Sequence, residues 1–344
     1  MEIFLTKGLT WKYLNRDNGI ALMIVLWVMT LLIVITFAFA VMVRTEAFST
    51  ITFKEQLENK YLAEAGMHRA ILEIFYRNAN KNNQIKLAET EVYPTDGRFH
   101  HGEMGEGHYQ FAITDETGKI NINTLTDASG IMLNNLLVNL GVEKTQADII
   151  VDSILDWKDT DDLHRLNGAE NDYYMHLQNP YKSKNANFDN LEEPLLVKGM
   201  TRGILYGDET KPGLIKYLTV YSSASQININ AAQPDVLKAI PFMTDDIVRI
   251  IINYRTADNV NKDGSGLRAM LSANDYAKIA PYVSTTDSNI YSVEVIGYKN
   301  KATSYYSLKA VVVIDGVNRY RVLYYQSPAH VEIPRDDQIQ KNIS

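Results

Sequence analysis

No cysteine occurs among the 344 residues, so neither a disulfide framework nor a thiolate-ligated metal is available to this chain. Basic side chains are also in deficit. The 34 lysines and arginines face 41 aspartates and glutamates, for a formal charge of −7, and such a balance disfavours generic nucleic-acid binding, which depends on neutralising phosphates. Catalytic signatures are missing as well: there is no nucleophile elbow, P-loop or dinucleotide fingerprint, and Gly264-Ser265-Gly266 follows polar residues instead of a strand. His100-His101-Gly102-Glu103 lacks the i, i+4 histidine pair of a helical metal site, and adjacent histidines point in different directions, so it reads as an exposed turn. These absences favour a protein that is not an enzyme.

One stretch lacks charge altogether. From Ile20 to Val43 only Thr30 and Thr36 interrupt an apolar run, and at about 1.5 Å per residue a helix of that length crosses a hydrocarbon core of roughly 30 Å. Ala38-Phe39-Ala40 imitates a signal-cleavage site, but the run exceeds the roughly 7 to 15 apolar residues of a secretory signal. Lys7, Lys12 and Arg16 precede it, whereas Arg44 beyond it is balanced by Glu46. The positive-inside rule therefore keeps the N-terminus cytoplasmic and exports the remainder. Helical spacing continues past the membrane through Phe48, Ile51, Leu57, Tyr61, Ala65, Leu72 and Phe75, with no proline before Pro94, which predicts one long helix to about Arg77.

Gly19 before this apolar helix, the short basic leader 1–19, and Tyr61-Leu62-Ala63-Glu64-Ala65-Gly66 resemble the N-terminus of type IV pilins and type II pseudopilins. The resemblance implies cleavage by a prepilin peptidase between Gly19 and Ile20, although Asn18 stands where the family usually has a basic residue. The fifth mature residue is then Ile24, where most members carry a glutamate. A carboxylate in lipid needs a partner, so its absence suits a subunit with none packed ahead of it. The chain thereby resembles the K-type minor pseudopilins of type II secretion systems.

Beyond the helix the pattern is mixed. His108 to Thr114 alternates as a half-buried strand with Tyr109, Phe111 and Ile113 on one face, and Asp115 to Gly118 ends it as a turn. Ile290 to Ile296, Tyr305 to Ile314 and Val317 to Tyr325 read as a closing meander, with Asp315-Gly316 as the hairpin signal. The intervening residues are mostly helical. The expected class is α+β: a pilin-like N-terminal helix on a small antiparallel sheet, with a large helical insertion. Boundaries follow as leader 1–19, membrane helix 20–43, helix continuation and first strands 44–118, insertion 119–283, and C-terminal strands and tail 284–344.

The insertion carries a weak internal repeat. Ile120-Asn121-Ile122-Asn123 and Ile227-Asn228-Ile229-Asn230 each precede a helical hairpin. Some such hairpins bind DNA through glycine-rich turns, but the second reads Ile240-Pro241-Phe242-Met243-Thr244-Asp245-Asp246, with no glycine and two acids. A packing or docking surface is the favoured reading, and no nucleic-acid partner is expected.

Acidic residues form the densest chemical signal, in Asp156-Trp157-Lys158-Asp159-Thr160-Asp161-Asp162 and Asn167-Gly168-Ala169-Glu170-Asn171-Asp172. Clustered hard oxygens are what Ca²⁺ requires, yet Leu163 and His164 break an EF-hand register started at Asp159, and a solvated acidic turn is the alternative. The K-type resemblance implies a calcium site using Asp159, Asp161, Glu170 and Asp172, with Asp156 and Asp162 as further candidates. It also implies a single-pass protein of the bacterial inner membrane with its soluble domain in the periplasm, contacting membrane lipid. The implied role is capping a pseudopilus together with I-type and J-type minor pseudopilins. A minor pilin of a type IV pilus-like system is the alternative, and a membrane-anchored helix-hairpin-helix DNA-binding protein the more distant one.

Overall fold

The computed structural model describes residues 17–80, 93–208, 210–256, 264–299 and 304–331. Lys7, Lys12 and Arg16 of the leader lie outside them. Helix α1 runs Asp17–Asn80, slightly beyond the expected end, and includes Gly19 and Ile20. Its apolar part has a mean hydropathy of 2.9 over 18 residues, so by length and composition it is able to cross a membrane. Thr30 and Thr36 do not break it. Their hydroxyls donate to the carbonyls of Trp27 (2.8 Å) and Leu32 (2.7 Å), which satisfies the polar groups within the helix itself.

The chain divides into residues 1–57 and 58–344, each described on its own. In the second unit, the end of α1 lies on a five-stranded antiparallel sheet of order β1-β2-β7-β8-β9. Strands β1 (Asp96–Met104) and β2 (Gly107–Asp115) form a hairpin. β1 is where the sequence suggested an exposed turn at His100-His101, a correction that follows from pairing. His100 sits opposite Phe111, its ring 4.3 Å from that of Tyr93, and burial lowers its pKa to about 4.

The insertion follows. β3 (Ile120–Asn121), α2 (Gly130–Asn139), α3 (Lys144–Lys158), α4 (Asn171–Met175), α5 (Arg202–Tyr206) and β4 (Leu218–Thr219) make a first unit, closed by parallel β3–β4 pairing. A second comprises β5 (Ile227–Asn228), α6 (Pro234–Ala239), α7 (Asp245–Thr256), α8 (Ser265–Met270), α9 (Ala273–Ile279) and β6 (Val283–Ser284), closed in the same way by β5–β6. The repeated asparagines explain the likeness. Asn121 Oδ1 accepts from Asn123 N–H (2.9 Å) and Asn228 Oδ1 from Asn230 N–H (3.0 Å), each side chain fixing the turn that leads to its helices. Strands β7 (Ile290–Tyr298), β8 (Tyr306–Ile314) and β9 (Tyr320–Gln326) then complete the sheet.

Two cores result. One fills the insertion around Leu133, Leu136, Ile150, Ile154, Leu237 and Ile251. The other joins Ala63, Met67, Ala70, Ile71 and Ile74 of α1 to Phe111, Val293, Val295 and Val312 of the sheet. This buried helix face differs from the expected stripe, since Leu57, Tyr61 and Leu72 are exposed. Close approach decides the matter: a Cβ on Gly297 would stand 2.2 Å from Ala63 N, and one on Gly66 would stand 2.6 Å from a Val295 methyl. Ala63 and Gly66 permit the close approach, while Met67, Ile71 and Ile74 fill the seam beside them.

Candidate functional site: the acidic loop

The acidic residues gather where α3 ends. Asp156 occupies the buried face of the last helical turn beside Trp157, and Asp159 caps the helix by ending it in extended backbone. A carboxylate in that position demands partners, and Arg165 supplies them. Its backbone N–H reaches both Asp156 oxygens (3.2 and 3.1 Å), while Nη1 lies 2.7 Å from Asp156 Oδ1 and 2.7 Å from Asp159 Oδ2. Nε donates to Asp127 at 2.7 Å. Gly168 is required here, because a Cβ at that position would fall 1.8 Å from Asp156 Oδ2.

Glu170 follows in extended backbone before α4, fully buried. Its Oε2 accepts from Ser183 Oγ (2.9 Å), but Oε1 meets no donor. Burial, and then the charges of Asp156, Asp159 and Asp162, push its pKa up to about 7. Asp162 Oδ1 accepts from the amides of Asn171 (2.8 Å) and Asn185 (3.3 Å), and Asn185 also donates to the Asp161 carbonyl (3.2 Å). Asp159 Oδ1 and Asn185 Oδ1 are buried without a donor too. Orphaned oxygens of this kind cost free energy unless something electropositive fills the space between them.

Aromatic rings floor the loop. Trp157 meets Tyr174 edge-on at 5.2 Å and donates Nε1–H to Glu193 (2.9 Å), and Tyr181 stacks on Tyr174 at 5.3 Å. Lys198 closes the side by donating to the carbonyls of Asn167 (3.2 Å) and Gly168 (2.9 Å). The Gly-Ala-Glu segment is thus held by its backbone while its glutamate points inward.

Residues 118–207, which include this loop, match the family "Type II secretion system (T2SS), protein K". The chain is 28% identical over 233 residues to type II secretion system protein K of Klebsiella pneumoniae, covering 64% of this chain and 68% of that protein. It is 28% identical over 197 residues to protein K of Pectobacterium carotovorum subsp. carotovorum, covering 54% and 59%. The fold resembles the crystal structure of the GspK-GspI-GspJ complex of enterotoxigenic Escherichia coli, with a TM-score of 0.57 and 19% identity, over 83% of this chain and 100% of that one. Over residues 118–207 this chain carries the first domain of the K family of type II secretion proteins.

Among the six acids singled out for a K-family metal site, the fold brings Asp156, Asp159, Asp162 and Glu170 within mutual electrostatic reach. Asp161 caps its own turn by accepting from Leu163 N–H (2.9 Å), and Asp172 accepts from Tyr173 N–H (2.8 Å) at the start of α4. No three Asp, Glu or His side chains among the described residues converge as a ready-made chelate. Three participants were not legible in the sequence: Arg165, Ser183 and Asn185. Arg165 had a signal, as a cation inside an acidic run. The other two lie in a polar segment without one. The donors are all oxygens, buried at Glu170, partly exposed at Asp159 and exposed at Asp162, and Arg165 already neutralises part of their charge at Asp156 and Asp159. Oxygens of this type are those a hard divalent ion prefers.

Proposed function

We propose that this chain is a K-family minor pseudopilin that caps the periplasmic pseudopilus of a type II secretion system, together with I-type and J-type subunits. In this reading a prepilin peptidase cuts between Gly19 and Ile20, and residues 20–43 stay in the inner membrane with the N-terminus cytoplasmic and the folded domain periplasmic. The observation that carries the reading is the division of labour along α1. One face is spent on the chain's own sheet through Ala63, Met67, Ala70 and Ile74, while Leu57, Tyr61 and Leu72 remain open on another face for a neighbouring helix. The insertion adds bulk that a filament-body subunit would not need, and the structurally similar E. coli chain is named in complex with GspI and GspJ. The role is structural.

Calcium belongs to the same proposal. Asp159, Asp162, Glu170 and Asn185 are the residues that hold it, drawing on the unpartnered oxygens of Asp159, Glu170 and Asn185. Asp156 serves as the anchor of Arg165. The ion supplies positive charge that links the loop after α3 to the segment around Ser183 and Asn185. The capping role is tested by co-expressing the full chain with I-type and J-type subunits and purifying through a tag on the J-type subunit. Recovery of all three is expected, and failure to recover this chain while I and J still bind each other would remove the proposal.

A further inference from the structure

Most of the cations around the acidic loop are committed elsewhere. Lys158, at the end of α3, donates to the carbonyls of Asn123 (3.1 Å) and Leu125 (2.6 Å). Lys198 is held by the carbonyls of Asn167 and Gly168, and Lys184 pairs with Asp189 and Glu193. Among the described residues, Arg165 is the cation paired with Asp156 and Asp159. Its contacts are of two kinds. Inside, Nη1 bridges the fully buried Asp156 and Asp159, each at 2.7 Å. Outside, Nε reaches Asp127 at 2.7 Å, and the Asp127 side chain is 79% exposed. The Arg165 side chain, itself 26% exposed, thus has one acceptor in the loop and one in water.

Asp159 belongs to two arrangements at once. Its Oδ2 accepts from Arg165, while its Oδ1 is buried without a donor, as are Oε1 of the fully buried Glu170 and Oδ1 of Asn185. A divalent ion that gathers those oxygens shares a carboxylate with the guanidinium, and two cations on one carboxylate repel each other. We infer that Arg165 is a built-in counter-cation: its guanidinium occupies Asp159 while the loop is free of metal and is released towards Asp127 when the ion binds. This rests on the calcium site proposed above and adds a competitor to it. Asp156 stays satisfied throughout, because the backbone N–H of Arg165 reaches both of its oxygens at 3.2 and 3.1 Å. The contact shapes the loop before metal arrives and lowers its affinity for the metal. An arginine that only orders the ligands has the opposite consequence, since its loss would weaken the hold on the ion.

The full chain, extracted in detergent and stripped with a chelator, is titrated with calcium while tryptophan fluorescence is followed. Arg165→Met should lower the Tm of the metal-free protein by about 5 °C, because Asp156 and Asp159 lose their counter-charge. The same variant should lower the calcium Kd about tenfold, because the competitor is gone. In the parent chain, phenylglyoxal labelling of Arg165, read by peptide mass spectrometry, should run about fivefold faster with saturating calcium than without it. The labelling needs no variant, so it decides the matter even where Arg165→Met does not fold. A calcium response in the parent with an equal or higher Kd in Arg165→Met, or labelling no faster with calcium, overturns the inference and leaves the calcium site standing. Indifference to calcium in both proteins overturns the two together.

Discussion

At the proposed calcium site, Glu170 is the residue at which protons and the ion would compete. Its pKa stands at about 7 against an ordinary 4.5, so folding takes up a proton. That contribution to stability is full below pH 4.5 and is lost as the pH rises through 7. A bound cation reverses the preference by stabilising the carboxylate. At pH 8, saturating calcium should raise the unfolding temperature by roughly 5–10 °C, and the shift should shrink as the pH falls towards 6. Glu170→Gln should stabilise the calcium-free protein at pH 8 and remove most of the calcium response. Trp157, the only tryptophan beyond residue 27, lies beside Asp156 and offers a fluorescence reading of both. A transition indifferent to saturating calcium would end the metal proposal. The acids themselves were legible as residue types in a cluster. What sequence could not rank was their employment, because Asp156 and Asp162 look alike until the fold shows one bound to Arg165 and the other to asparagine amides.

At the scale of elements, the seam between α1 and the sheet is set by missing side chains. Gly297→Ala would put a methyl 2.2 Å from the Ala63 backbone nitrogen, where backbone must move to make room. A loss of about 1–3 kcal/mol is expected, read as a lower midpoint in urea at unchanged m-value. A midpoint equal to the parent's would show that the helix sits further from the strands. This seam also explains which elements could be read in advance. The long helix, the strand after His108 and the closing meander announced themselves by apolar, β-branched and aromatic content. The expected half-buried strand β2 is nevertheless buried on both faces, as are β7 and β8, while β9 is mostly exposed. The helix face was misassigned because large apolar residues outshine alanine and glycine in any periodicity, yet small ones permit contact. Strand β1 was missed for a related reason. Its sequence, Asp-Gly-Arg-Phe-His-His-Gly-Glu-Met, has no alternation, and it becomes a strand through its pairing with β2.

Considered whole, the chain is a membrane-length helix, a sheet, and a paired helical insertion hung between adjacent strands. The membrane run, the insertion and its internal echo were visible as changes of composition and as a repeated Ile-Asn-Ile-Asn. The parallel pairing that closes each half was not, since two-residue strands leave no periodic trace. The proposed processing has a direct reading: mass spectrometry of the membrane-extracted chain should give an N-terminus at Ile20. A chain that instead begins beyond Val43 would be free of the membrane, and the filament role would fall with it.

Strand order carries a temporal consequence. β2 pairs with β7, so Asp115 stands opposite Tyr291 although the whole insertion separates them in the chain. In the proposed topology, with the N-terminus held in the cytoplasm, the distal end of α1 and the first hairpin would cross the bilayer before the last three of the five strands. The insertion, with its own core, has time to mature first. The greasy flank of the stem therefore waits bare until the final strands arrive, and a subunit truncated near its end would reach its destination with that flank unsheathed.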